Sequence, residues 1–201
     1  LIFIPANTIN YWNGWLFMGL LFIPMFVAGV QLMLKKPELL KRRLNVKETQ
    51  KEQSLIIKIS GIMFIAGFVV AGFDFRYSWS DFPNATVIAA TLFFIMAYLL
   101  YAEVIRENEY LSRTIEGQEN HKVIDTGLYS VVRHPMYTAS VVLFLSMPII
   151  LGSIWSFLIF LTYPIIIVKR IKFEEEFLEK ELDGYREYEQ KVKYRLIPFV
   201  W

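Results

Sequence analysis

The sequence predicts an all-α integral membrane protein with about five transmembrane helices, the last two forming a short C-terminal hairpin. Three observations carry this. Hydrophobic residues make up 55% of the 201-residue chain, against about 45–50% in an ordinary soluble domain. The excess is gathered into runs almost free of charge, separated by strongly charged stretches, the pattern of spans and loops rather than of one apolar core. Lysine and arginine, in turn, alternate between rich and poor along successive loops.

Leu1–Pro5 reads as the end of an apolar segment, so further chain, a helix among it, is expected ahead of it. It has no charged n-region and no small-residue cleavage site, so it is not read as a signal peptide. The first clear span is Trp15–Leu34, about 20 residues or roughly 30 Å of helix, which matches a bilayer core. Tyr11, Trp12 and Trp15 lie at its start as interfacial aromatics, and Pro24 is a candidate kink. The polar loop that follows has room for a short surface helix. The second span is Leu55–Phe73. Its Lys58 is close enough to one end to snorkel, and Gly61 and Gly67 offer close helix contact. A short aromatic link with Tyr77 and Trp79 leads to the third span, Ala85–Ile105, where Glu103 already marks the boundary.

The stretch 106–135 is polar, with a turn signal at Thr126–Gly127. Met136–Leu151 is apolar but only about 16 residues, roughly 24 Å as a helix. It carries Pro148 and stops at Gly152–Ser153, and Ile154–Val168 is apolar again. Two apolar helices joined by a two-residue turn read as a tight antiparallel hairpin. Lys169–Trp201 is a charged, partly helical tail. Coarsely, residues 1–105 form an N-terminal transmembrane region and 106–201 a second region with two spans and the polar tail.

Positive charge tests this division. Lys35–Gln53 carries seven Lys/Arg, Asp74–Asn84 one, Arg106–Pro135 four, Gly152–Ser153 none and the tail eight. High and low alternate as five crossings demand, and the positive-inside rule puts the three rich segments in the cytoplasm. The net charge of +2 is too small to argue for nucleic acid. With no cysteine there is no disulfide, thiolate metal site or cysteine nucleophile. Two histidines and no His-Glu-x-x-His exclude the usual zinc patterns, so no metal is expected.

Chemistry should then lie in the polar segments beside the membrane. In Arg133-His134-Pro135-Met136-Tyr137, proline suits a first helical turn, and backbone N–H groups at that start can hold an anion such as a cofactor carboxylate. Tyr129 and Tyr137 offer aromatic faces to an adenine ring or a sulfonium. On composition alone these are equally read as interfacial residues capping a span. Further on, Arg170 and Glu174 share a helix face and open the run Glu174-Glu175-Glu176. Adjacent carboxylates want a cationic neighbour. One could hold a cofactor ammonium, and an arginine could clamp an acidic acceptor. Here a solvated helix face following a span is the stronger reading on periodicity alone. Gly184-Tyr-Arg-Glu-Tyr188 and Val192-Lys-Tyr-Arg195-Leu-Ile-Pro198 fit a tail folded back on the membrane surface.

Together, His121-Lys-Val-Ile-Asp-Thr-Gly-Leu-Tyr129-Ser-Val-Val-Arg133-His-Pro-Met-Tyr137, Arg170-x-x-x-Glu-Glu-Glu, Gly184-Tyr-x-x-Tyr188 and Arg195-Leu-Ile-Pro198 resemble the signature of the isoprenylcysteine carboxyl methyltransferase family. The wider group includes phospholipid N-methyltransferases and small-thiol methyltransferases. The resemblance covers roughly Asn108 to Trp201. It implies a cytoplasmic pocket for S-adenosylmethionine, with S-adenosylhomocysteine as product, closed over by the tail. It places the cofactor on His121, Lys122, Val123, Ile124 and Tyr129, on His134, Pro135, Met136 and Tyr137, and on Glu174 or Glu175. It turns Arg170 toward the acceptor, so that Arg170, Glu174 and Glu175 are the catalytic candidates. The implied acceptor is lipophilic or prenylated and enters from the bilayer; a carboxylate, an amine or a thiol all remain open. Membrane sterol reductases carry a related C-terminal signature with a nicotinamide cofactor but normally have more spans. A scaffold or transporter subunit would explain the spans and basic loops but not the clustered motifs.

Overall fold

Apolar runs form helices in a bilayer because every backbone N–H and C=O must be satisfied within the chain. The computed structural model describes residues 1–44, 51–108 and 123–201, and these contain helices and no strand. In chain order they form α1 (Phe3–Ala6), α2 (Trp12–Lys35), α3 (Pro37–Leu44), α4 (Lys51–Tyr77), α5 (Asn84–Glu107), a 3₁₀ turn at Gly127–Ser130, α6 (Pro135–Ile150), α7 (Ile154–Phe160), α8 (Thr162–Glu181) and α9 (Tyr185–Lys191). Among the described residues four helical runs are long and apolar enough to cross a membrane: Trp12–Lys35, Ser54–Tyr77, Asn84–Glu107 and Ile154–Glu181. With the shorter apolar helix Pro135–Ile150 they correspond to the five apolar segments read from the sequence.

The exposed surface of these helices is apolar. Phe22, Ile23, Phe26 and Met33 on α2, Ile62 and Ile65 on α4, and Leu92, Phe93 and Leu99 on α5 are all exposed. Patches of this size on a soluble protein would mark an aggregation liability; here they are the faces that meet lipid, and the chain is a multi-pass membrane protein. Between the helices, α5 packs along α6, α4 along α7 and α8, and α1 against α4. An aromatic layer fills the centre, where Phe64 meets Phe144 and Phe160 edge-on at 4.8 and 5.4 Å between ring centroids. Gly67 makes room for it, since a Cβ there would run into the Phe160 ring. Gly61 has nothing near it, so the close contact expected of both glycines is made by Gly67 alone.

Polar bonds tie the end of the bundle holding the α6–α7 turn. Asp74, fully buried near the end of α4, accepts from the Ser80 N–H and hydroxyl, both at 2.8 Å, and from the Ser153 hydroxyl. Ser153 also caps α7, accepting from the Ser156 N–H at 3.0 Å. Tyr11 donates to the Leu151 carbonyl and Asn13 to that of Ile150. The turn itself needs Gly152, whose φ is +75°.

Two elements go beyond the sequence reading. Leu1–Pro5 contributes to α1, a short helix seated on Gly72 of α4. The last span does not stop at Val168: α7 and α8 run on to Glu181. Those 28 residues give about 42 Å of helix against a hydrocarbon core of about 30 Å, so the charged turns of α8 stand clear of the apolar layer and bring Glu174 and Glu175 to the start of α6.

Candidate active site

The site is built at the opposite end of the bundle, where α5 ends, α6 begins and α8 projects. Pro135 occupies the first turn of α6, and the two residues before it lie against the tail. The Arg133 N–H donates to the Tyr194 carbonyl at 2.8 Å and the His134 N–H to that of Arg195 at 2.9 Å. Thr138, one turn into α6, donates its hydroxyl to the Leu196 carbonyl at 2.8 Å. Several of the N–H groups expected to be free around this helix start are thus engaged. The N–H groups of Tyr137 and Thr138 go to the His134 carbonyl, and those ahead of the helix are stitched to the tail.

Glu175 is the hub of this end. Its side chain is buried, and the residue is only 4% exposed. Oε1 accepts from Arg133 Nε at 2.8 Å and lies 2.7 Å from Arg133 Nη2 and 3.1 Å from His134 Nε2. Oε2 accepts from Arg195 Nε at 2.7 Å. An ionised carboxylate only accepts, so His134 carries its proton on Nε2. Arg133 is saturated as well: Nη1 donates to the Val192 carbonyl at 2.9 Å and Nη2 pairs with Glu189 at 3.2 Å. Burial raises the Glu189 carboxyl above its usual range, and the Arg133 charge offsets this only in part.

Beside the hub, Tyr137 joins the other two candidates. Its hydroxyl donates to Glu174 Oε2 at 2.5 Å and accepts from Arg170 Nε at 2.8 Å, with the Arg170 guanidinium 5.9 Å from the ring centroid. Among the described residues Glu174 is engaged through Oε2 alone, and it is half-buried. The three glutamates therefore divide by helix angle: Glu175 points in, Glu174 lies at the side and Glu176 is exposed.

The third wall comes from the turn after residue 122. Gly127 has φ +52°, and a Cβ there would strike the Glu107 carboxylate, which accepts the Leu128 N–H at 3.0 Å. Asn108 donates to the Tyr129 hydroxyl at 2.9 Å, and Tyr188 donates to the Tyr129 carbonyl at 2.7 Å. Tyr129 packs in a cluster with Leu39 and Val104, joined by Ile124 and Met136. Val123 packs instead against Tyr185, Tyr188 and Val192 of the tail. Lys191 pairs with Asp125 at 2.6 Å and holds that exposed carboxyl below its usual range.

Val123, Ile124, Tyr129, His134, Pro135, Met136, Tyr137, Arg170, Glu174 and Glu175 thus lie around one end of the bundle, while His121 and Lys122 fall outside the described residues. Sequence reasoning missed Glu107 and Asn108, which hold the Tyr129 turn, and Glu189 and Arg195, which complete the charge cluster. No spacing marks the first pair. Arg195 stood beside Leu-Ile-Pro, but only its tertiary partner reveals its use. Among the described residues no cluster of His, Asp and Glu could hold a metal ion.

Residues 85–183 match the family described as phospholipid methyltransferase. No curated protein gives a significant match to the chain. The matched stretch runs from α5 to just past α8 and contains the α6 start, Arg170 and all three glutamates. The chain therefore carries a phospholipid methyltransferase family domain over residues 85–183, and it is a membrane methyltransferase.

Proposed function

We propose that the protein transfers a methyl group from S-adenosylmethionine to a lipophilic acceptor, most like an isoprenylcysteine carboxylate. The observation that carries this is the junction of the α6 start with α8: Tyr137 joined to Arg170 and Glu174, and His134 joined to Glu175. It unites the two stretches whose resemblance points to one cofactor.

The donor set suits that cofactor. Glu174, half-buried and engaged through one oxygen, is the carboxylate for its ammonium group. Tyr129, Ile124 and Met136, with Val123 of the tail cluster, offer apolar and aromatic surface for the adenosine part, and His121 and Lys122 precede Val123 in the sequence. Pro135 sets the start of α6 and so the direction of Tyr137. Glu175 acts at one remove, since both its oxygens are taken by Arg133, His134 and Arg195. When bound, S-adenosylmethionine supplies an electrophilic methyl on a sulfonium and leaves as S-adenosylhomocysteine. The chain's residues then contribute positioning and exclusion of water rather than proton transfer. Arg170 orients an anionic acceptor, and its bond to Tyr137 fixes that guanidinium against the cofactor wall. An amine acceptor would have to lose a proton, and Glu174 is the base within the same cluster.

Lys35 and Arg106 lie in the last turns of α2 and α5, and the basic tail packs at the α6 start, which supports a cytoplasmic catalytic side. The match to a methyltransferase family weighs against a nicotinamide-dependent reductase. Labelled methyl transfer to a panel of lipid carboxylates, amines and thiols tests the proposal. Label in a prenylcysteine methyl ester is the expected product, and no transfer to any member would overturn the reading.

A further inference from the structure

Among the described residues two buried side-chain hydroxyls lack a hydrogen-bond partner, those of Ser156 and Tyr185. Ser156 lies by the α6–α7 turn, remote from the charge cluster. Tyr185 opens α9 beside it. The residue is 4% exposed, and it belongs to a buried cluster with Leu182, Tyr188 and Val192, against which Val123 and Leu178 of α8 pack. Its cluster is therefore shared with two parts assigned above to the cofactor, the segment ahead of the Tyr129 turn and the acidic helix.

Its neighbour provides the comparison. Tyr188 is three residues on, with ring centroids 5.8 Å apart, and its hydroxyl is satisfied by the Tyr129 carbonyl. A phenylalanine at 185 would fill the same apolar space without burying an unpaired O–H, which is unfavourable when no partner compensates. A buried group of this kind calls for an explanation, and a missing ligand is one. Burial and the nearby Glu175 and Glu174 charges hold the phenol in its neutral, donating form.

We propose that the Tyr185 hydroxyl is a ligand contact of the cofactor site, donating a hydrogen bond to an acceptor atom of bound S-adenosylmethionine. This rests on the methyltransferase reading, and the tail thereby contributes a binding group as well as a cover. The test is calorimetric titration of the detergent-solubilised full chain with S-adenosylhomocysteine, comparing wild type with Tyr185→Phe, alongside thermal unfolding of both without ligand. The expected result is affinity weaker by about tenfold, the scale of one lost hydrogen bond, with a ligand-free Tm equal to or above that of wild type. Equal affinity would overturn the inference and leave the methyltransferase reading intact. A lowered ligand-free Tm would also overturn it, because the hydroxyl would then have a partner within the protein. Absence of binding by wild type would overturn both.

Discussion

Replacing Glu175 by glutamine should unfold the site rather than merely weaken it. Both carboxylate oxygens are used, by Arg133, His134 and Arg195, and Arg133 and His134 are themselves buried. An amide keeps one acceptor oxygen but turns an N–H₂ toward a guanidinium donor and removes the negative charge. Breaking a buried ion pair from one side costs about 3–5 kcal/mol, because the stranded charge stays out of water. Glu189 remains on Arg133 at 3.2 Å, which favours the lower end, about 3 kcal/mol. For a chain of this size that is a fall in Tm of roughly 6–12 °C. Thermal unfolding in detergent, read by intrinsic tryptophan fluorescence, measures it. Glu174→Gln is the control: it alters one bond at a half-buried position and should move Tm by about a quarter as much or less, on the scale of a single hydrogen bond. If Glu175→Gln melts with wild type, or if Glu174→Gln is the more damaging to stability, the division of labour between the two carboxylates is wrong.

Three further outcomes follow from the same geometry. Gly127→Ala puts a Cβ into the Glu107 carboxylate at a φ of +52°; the left-handed backbone alone costs about 1–2 kcal/mol, and loss of cofactor affinity should accompany the fall in Tm. Asp74→Asn disturbs a three-donor acceptor at the other end, so Tm should drop by the equivalent of about 1–3 kcal/mol while S-adenosylhomocysteine affinity stays at the wild-type value. Glu189 has a folded pKa raised above 4.5 by burial, so the fold takes up its proton more readily than the unfolded chain, and its contribution to stability falls as pH rises from 4.5 through the raised value. Tm profiles of wild type and Glu189→Gln should therefore diverge across that window, with wild type losing ground as pH rises; parallel profiles would contradict this.

Much of this architecture was legible because a bilayer imposes simple constraints. Charge-free runs of the right length had to be helices, and Gly152–Ser153 could only be a turn. The meeting of Pro135 with the glutamates also followed, since a single hairpin, and so an even number of crossings, separates the α6 start from the acidic end of α8. Less accessible was what α8 does after Val168. Tyr163, Ile167, Ile171 and Glu175 recur every four residues, and all four are buried, so the acidic residue continues an apolar stripe. That periodicity was in the sequence, but hydrophobicity ends at a charge even when helix geometry does not. The pairing of Arg133 and His134 with the tail backbone was beyond reach, because carbonyls carry no sequence signal. The same holds for Glu107 and Asn108, whose partners Leu128 and Tyr129 lie 21 residues downstream.

Calorimetric titration of the purified wild-type protein with S-adenosylhomocysteine, set beside Glu174→Gln, tests most directly whether the α6 start and α8 enclose one cofactor. Saturable binding by wild type, weakened at least tenfold in the variant with little change in ligand-free Tm, is the outcome expected. No heat of binding at millimolar ligand, or equal affinity in the two proteins, would contradict it.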